Sequence, residues 1–222
     1  MITSIAFNAM RQAMIQGQLL PQHVTHPKIL QSFKVLLRES FVPQEQQNAC
    51  YGDVHISVSE DRIMLAPVVL ARLIQEAHIL PSEKVLALGC STGYAAIVLS
   101  YLAKKVIAVE SSSTYVKQMN EAFESYETFN AHSYLGSLME GYLEHAPYDV
   151  IFIEGGVEEI PGALFSQLAE GGRIVAILSK GKQLPCQGAI IEKRDNSIHT
   201  NVLFETSAPI LKEFQREKGF EF

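Results

Sequence analysis

The chain has 222 residues, 47% of them apolar, enough to bury a full core, and no linker or repeat divides it, so one unit over residues 1–222 is expected. A net charge of −6 offers no basic footprint for phosphate backbones, which argues against nucleic acid as a partner. No apolar run approaches the roughly 18 residues of a membrane span, and Met1 to Asn8 has no basic segment ahead of an apolar stretch, so a cytoplasmic protein without a membrane partner is expected.

The first eighty residues read as helical and irregular. An amphipathic stretch from about Ile5 to Ile15 is followed by a helix opened at Thr25-His26-Pro27, where proline suits a first helical turn. Phe41-Val42-Pro43 ends that unit, a loop runs through Tyr51-Gly52-Asp53, and Ala66 to His78 reads as a further helix. From Lys84 onward, residues 81–222 form an alternating strand and helix pattern. Strands are expected at Lys84 to Leu88, Val106 to Glu110, Ala131 to Leu135, Asp149 to Ile153 and Arg173 to Leu178. That alternation predicts a parallel α/β sheet. Two last strands, about Gly188 to Lys193 and Thr200 to Phe204, flank the turn-forming Arg194-Asp195-Asn196-Ser197 and predict an antiparallel edge hairpin.

The most informative stretch runs from Val85 through Leu88 into Gly89-Cys90-Ser91-Thr92-Gly93-Tyr94, and on to Val106-Ile107-Ala108-Val109-Glu110. A buried strand, a glycine turn opening a helix, and a second strand ending in an acid about 20 residues later make a nucleotide cradle. In it, Glu110 would accept hydrogen bonds from both ribose hydroxyls. A dinucleotide fingerprint requires glycines at 89, 91 and 94, where this chain has Gly, Ser and Tyr. The G-x-G-x-G form finds Gly89, Ser91 and Gly93, which favours S-adenosylmethionine over NAD.

These blocks, together with Phe41-Val42-Pro43, Tyr51-Gly52-Asp53, Pro67-Val68-Val69-Leu70-Ala71-Arg72, Tyr148-Asp149-Val150-Ile151 and Gly171-Gly172-Arg173, resemble the protein-L-isoaspartate O-methyltransferase family over nearly the whole chain. The resemblance implies a Rossmann-like class I methyltransferase fold: a mostly parallel seven-stranded sheet, an antiparallel edge hairpin and a helical N-terminal extension over residues 1–80. It further implies S-adenosylmethionine as cofactor, a damaged protein or peptide as substrate, and methyl transfer to a carboxylate. Such a carboxylate, with an ordinary pKa near 3.9, is already ionised at neutral pH and needs alignment rather than a general base. The residues that the resemblance places around the cofactor are Gly89, Cys90, Ser91, Gly93, Tyr94, Glu110, Ser111, Ser137 and Leu138.

Four positions depart from the family pattern. Ile63-Met64-Leu65 stands where the family has TIS, putting apolar Ile63 and Leu65 on the substrate side. Ala87 replaces the acid before the first glycine, Ser91 replaces the middle glycine, and Gly136-Ser137-Leu138 replaces a Gly-Asp-Gly loop at the adenine. Weakened cofactor binding and little isoaspartyl methylation are therefore expected, and the alternatives are a changed substrate or a non-catalytic descendant that binds a partner.

Glu154, followed by Gly155-Gly156, should lie at the carboxyl end of the fourth strand of the sheet. There it either acts on the substrate side or, with Glu158 and Glu159, supplies negative charge near the helix after Pro161. Cys50, Cys90 and Cys186 are odd in number and far apart, which argues for reduced thiols. His23 with His26 is the only close histidine pair, and no metal is expected. Lys212 to Phe222 reads as a tail packed on its own fold, the alternative being a cap on a partner subunit, in either case without chemistry, and an oligomer is possible but not indicated.

Overall fold

The computed structural model describes residues 4–181, 185–194 and 197–216. Helix α1 (Ser4–Met14) runs into a wider helical turn over Ile15–Leu19, and α2 (Pro27–Val35) starts where the sequence puts its proline, after an extended His26. A two-stranded hairpin, β1 (Ile56–Ser57) and β2 (Ile63–Met64), precedes α3 (Pro67–Glu76). This hairpin was not expected from the sequence, because strands of two residues carry no readable alternation.

The sheet begins with β3 (Lys84–Leu88), α4 (Tyr94–Ser100) and β4 (Lys105–Glu110). Next come α5 (Ser113–Ser125), whose Ser112 hydroxyl caps the helix by accepting the Thr114 N–H at 3.2 Å, and β5 (Ala131–Leu135). The chain continues through β6 (Tyr148–Val157), the short α6 (Gly162–Ser166), β7 (Leu168–Leu178), β8 (Cys186–Arg194) and β9 (Ser197–Thr206). The seven strands lie in the order β5-β4-β3-β6-β7-β8-β9. The pairs from β5 to β7 are parallel, and those from β7 to β9 antiparallel. The expected α/β architecture with its edge hairpin is present, although Asp195 and Asn196 of the expected turn lie outside the described residues.

Strands β3, β4 and β6 are buried almost throughout, as a parallel sheet covered on both faces requires. The N-terminal helices cover one face and join a core built on Phe33, Leu70, Tyr94 and Phe152. On the other face Leu86, Leu88, Ile107, Ile153 and Ile174 pack with Leu138, Leu164, Leu211 and Phe214. From β3 the chain winds out through β4 to β5, then crosses back to place β6 on the other side of β3. Ligand crevices of open α/β sheets form at such a reversal, beyond the carboxyl ends of the strands.

Candidate functional site

Gly89, at the end of β3, has φ +75°, a left-handed conformation that glycine adopts without cost, and its N–H donates to Val109 O of the neighbouring strand. The turn closes with the Gly93 N–H on Cys90 O, and α4 follows. Glu110, at the end of β4, is brought to this turn as the spacing predicts. Its Oε1 accepts the Ser91 N–H at 2.9 Å and its Oε2 the Ser111 N–H at 3.1 Å.

The remainder of Glu110's environment differs from the sequence expectation. Arg62, at the entrance to β2, donates through Nε to both Glu110 oxygens, at 3.1 and 3.2 Å, and through Nη2 to Oε2 at 3.0 Å. Both side chains are wholly buried. A carboxylate has about four lone-pair directions, and these donors occupy them. Burial pushes the Glu110 carboxyl up, and the Arg62 charge opposes that shift. Glu110 is therefore half of an internal ion pair rather than a free acceptor at an open strand end.

Arg62 extends the network beyond this pair. Nη2 also reaches Ser111 Oγ at 2.9 Å and Glu213 Oε1 at 2.6 Å, while Nη1 meets Asp61 O at 2.9 Å and Glu213 Oε2 at 3.3 Å. The Ser111 hydroxyl donates to Glu213 Oε1 as well, at 3.0 Å. Glu213 belongs to a segment that the sequence reading assigned no chemistry. Residues 207–214 cross the crevice and are tied to β6: the Gly156 N–H donates to Pro209 O, the Leu211 N–H to Gly156 O and the Glu158 N–H to Phe214 O. Phe214 is buried, as expected for a tail packed on its own fold, and so is Leu211 just before that tail; Phe220 and Phe222 lie outside the described residues.

Leu211 fills the space over the glycine turn. A methyl added at Gly89 would lie 3.3 Å from Leu211 Cδ1, and one at Gly155 would lie 2.6 Å from Leu211 Cγ. Gly155 is thus required by the close approach of this leucine. Leu138, fully buried, lies 3.7 Å from the same point at Gly89. In this arrangement the crevice does not fit S-adenosylmethionine, because Glu110, the expected ribose acceptor, is engaged by Arg62 and the space over the turn is packed.

The other expected residues divide by what their side chains touch. Cys90 and Ser91 are buried at the turn, and burial together with nearby Glu154 raises the Cys90 thiol well above its ordinary pKa. Tyr94 contributes only its backbone to the turn; its ring packs edge-on against Phe33 and Phe41, with the Arg38 guanidinium 4.8 Å from its centroid. Ser137 is exposed and its carbonyl accepts the Gly141 N–H. Ile63 and Leu65 are buried. Glu154 lies within β6, not near the helix after Pro161, and its Oε1 accepts the Leu65 N–H at 3.2 Å. Burial raises its pKa to about 7, with the Leu65 N–H and the Arg38 charge opposing.

Arg62 was readable only as a lone cation in an acidic loop, with partners 48 and 151 positions away. The available signal was its place directly before the altered Ile63-Met64-Leu65 segment. Among the described residues no cluster of His, Cys, Asp and Glu is arranged to hold a metal, and no helix is long and apolar enough to cross a membrane.

Residues 9–207 match the model of the protein-L-isoaspartate(D-aspartate) O-methyltransferase family. A protein-L-isoaspartate O-methyltransferase of Picosynechococcus sp. is 32% identical over 167 residues, 75% of each chain. The same-named protein of Protochlamydia amoebophila is 30% identical over 84% of this chain and 88% of its own. A solved protein-L-isoaspartate O-methyltransferase superposes with a TM-score of 0.77 at 25% identity, covering 90% of this chain and 65% of that one. A Plasmodium falciparum structure described as a putative member in complex with S-adenosyl-L-homocysteine shares the fold at a TM-score of 0.69 and 17% identity, over 93% of this chain and 98% of that one. The chain belongs to the protein-L-isoaspartate(D-aspartate) O-methyltransferase family.

Proposed function

We propose that the protein is an S-adenosylmethionine-dependent methyltransferase of this family whose acceptor is a protein carboxylate, and that ordinary isoaspartyl substrates are poor ones. The observation that carries this reading is the pairing of the Gly89 turn with Glu110, on adjacent strand ends and joined by the Ser91 N–H. An ionised carboxylate acceptor needs no general base, only alignment with the methyl group it receives. On the substrate side Ile63 and Leu65 offer no hydroxyl, and the Leu65 N–H, which would serve a substrate carboxylate, is taken by Glu154. No step is assigned to the cofactor, because the crevice in this closed arrangement does not fit it.

A second reading, a family member that has given up catalysis for binding, is favoured by the same filling of the crevice by Arg62, Leu211 and Glu154. Two measurements separate them. Calorimetric titration with S-adenosylhomocysteine should give measurable binding, weaker than that of a relative with the acidic adenine contact. Methyl transfer from labelled S-adenosylmethionine should be slight on an isoaspartyl peptide and detectable on another protein carboxylate. Absence of both binding and transfer selects the second reading, and isoaspartyl transfer at an ordinary family rate refutes the substrate part of the first.

A further inference from the structure

The segment over the crevice is seated by three independent contacts. Its backbone is hydrogen-bonded to Gly156 in both directions, at 2.9 Å each, in a parallel bridge at Ile210 that extends the end of β6. Leu211 lies in the hollow formed by Gly89 and Gly155; a methyl added at Gly155 would collide with it, and one added at Gly89 would press on it at 3.3 Å. Glu213 places both carboxylate oxygens on the Arg62 guanidinium and one on the Ser111 hydroxyl, the two residues that also surround the Glu110 carboxylate. Arg62 thereby has one acid below it, from the sheet, and one above it, from the segment. The Glu213 side chain is 22% exposed, whereas Arg62 and Glu110 are fully enclosed, so Glu213 is the outer and more readily released partner.

We propose that residues 208–214 are the resident occupant of the cradle. Leu211 takes the place over the glycine turn and Glu213 holds Arg62 on the ribose acceptor, so that this segment and an S-adenosyl ligand exclude one another. The inference rests on the methyltransferase reading above and adds that the cradle is closed by a removable part of the chain rather than lost. When Glu213 lets go, Arg62 keeps Asp61 of the hairpin, Glu110 and Ser111 at the end of β4 and the Tyr115 ring of α5, 5.5 Å from its guanidinium. Swinging it off Glu110 clears the guanidinium from both oxygens, which keep the Ser91 and Ser111 N–H groups. When Leu211 lifts, the hollow at Gly89 opens beside them. Neither movement requires rearrangement of β3 or β4.

The test is calorimetric titration of S-adenosylhomocysteine into the full chain and two variants. Glu213→Gln retains shape and removes the charge at a partly exposed position, so it folds. Leu211→Ala with Glu213→Gln also empties the hollow. Affinity should rise at least threefold in the first and at least tenfold in the second, and a synthetic peptide spanning Ala208 to Arg216 should lower it again in the double variant. In the wild type, saturating ligand should speed hydrogen exchange at the Leu211 and Phe214 amides. Equal affinity in all three proteins, or bound ligand that leaves those amides protected, overturns the proposal while the methyltransferase reading stands. No binding by any of the three overturns that reading, and the exclusion with it.

Discussion

Two arginines grip carboxylates at opposite ends of the same sheet, and their partners differ in kind. Arg173, at the amino end, donates to Ala77 O and His78 O and to both oxygens of Glu83, all within one short loop. Arg62, at the carboxyl end, joins the β2 hairpin, the end of β4 and the segment at Glu213. The first fastens a loop to a strand. The second closes a crevice, because its partners come from segments distant in the chain and one of them can leave. Similar guanidinium–carboxylate chemistry is thus a local staple or a closure according to how many segments share it.

Removing Arg62 breaks the comparison most severely. Arg62→Met leaves Glu110 buried and unpaired, so about 3–5 kcal/mol of stability should be lost, with a fall in melting temperature of roughly 6–20 °C. Adding Glu110→Gln to that variant should recover much of the loss. A single variant that melts within a degree or two of wild type would mean that this pair does not hold the crevice.

Acid and base should separate the two ends next. Burial pushes Glu154 up to about 7 from an ordinary value near 4.5. Its contribution is therefore fully present below pH 4.5 and is lost as pH rises through 7, and Glu154→Gln should stabilise the protein by up to about 3 kcal/mol at pH 8 and not at pH 4. Glu83 has the opposite sign. Burial raises it, but Arg173 and the Leu80 N–H more than offset that and hold it below its ordinary range. Its contribution is present above pH 4.5 and is lost as pH falls through the lowered value. Denaturant titrations of both Gln variants between pH 3 and 8 check both signs, and parallel profiles would contradict the assignment.

Arg173→Ala should cost less, about 1.5–3 kcal/mol in urea unfolding, and leave ligand affinity unchanged because its partners lie at the far end of the sheet. The smallest effect is expected for Ser91→Gly. The Ser91 contact with Glu110 uses the backbone N–H, which glycine keeps, so stability should change by no more than about 1 kcal/mol. If this variant gains as much S-adenosylhomocysteine affinity as the Leu211→Ala, Glu213→Gln protein, the serine and not the crossing segment closes the cradle.

What was legible in the sequence follows from the range of the interactions involved. The Gly89 turn, the strands that bracket it and the position of Glu110 rest on local periodicity and a short spacing, and they stand where the pattern put them. The β1–β2 hairpin was too short to show a period. Glu110 was expected to be an available acceptor, whereas it is completely buried and paired with Arg62. Nothing local marks Arg62, since its role exists only once residues 62, 110 and 213 meet. Leu211 was likewise an ordinary apolar residue, one position before the tail, until Gly89 and Gly155 gave it a seat.

The distance along the chain between Arg62 and Glu213 also sets an order of events during synthesis. Chains emerge from the amino end, and domains can begin folding before they are complete. Strands β3 and β4, the glycine turn and the Arg62–Glu110 pair all precede residue 115, so the cradle is specified about a hundred residues before the segment that covers it is made. A nascent chain therefore passes through a stage in which Arg62 can already hold Glu110 but Leu211 and Glu213 are not yet there to cover them, so that a ligand entering then has only the arginine to displace.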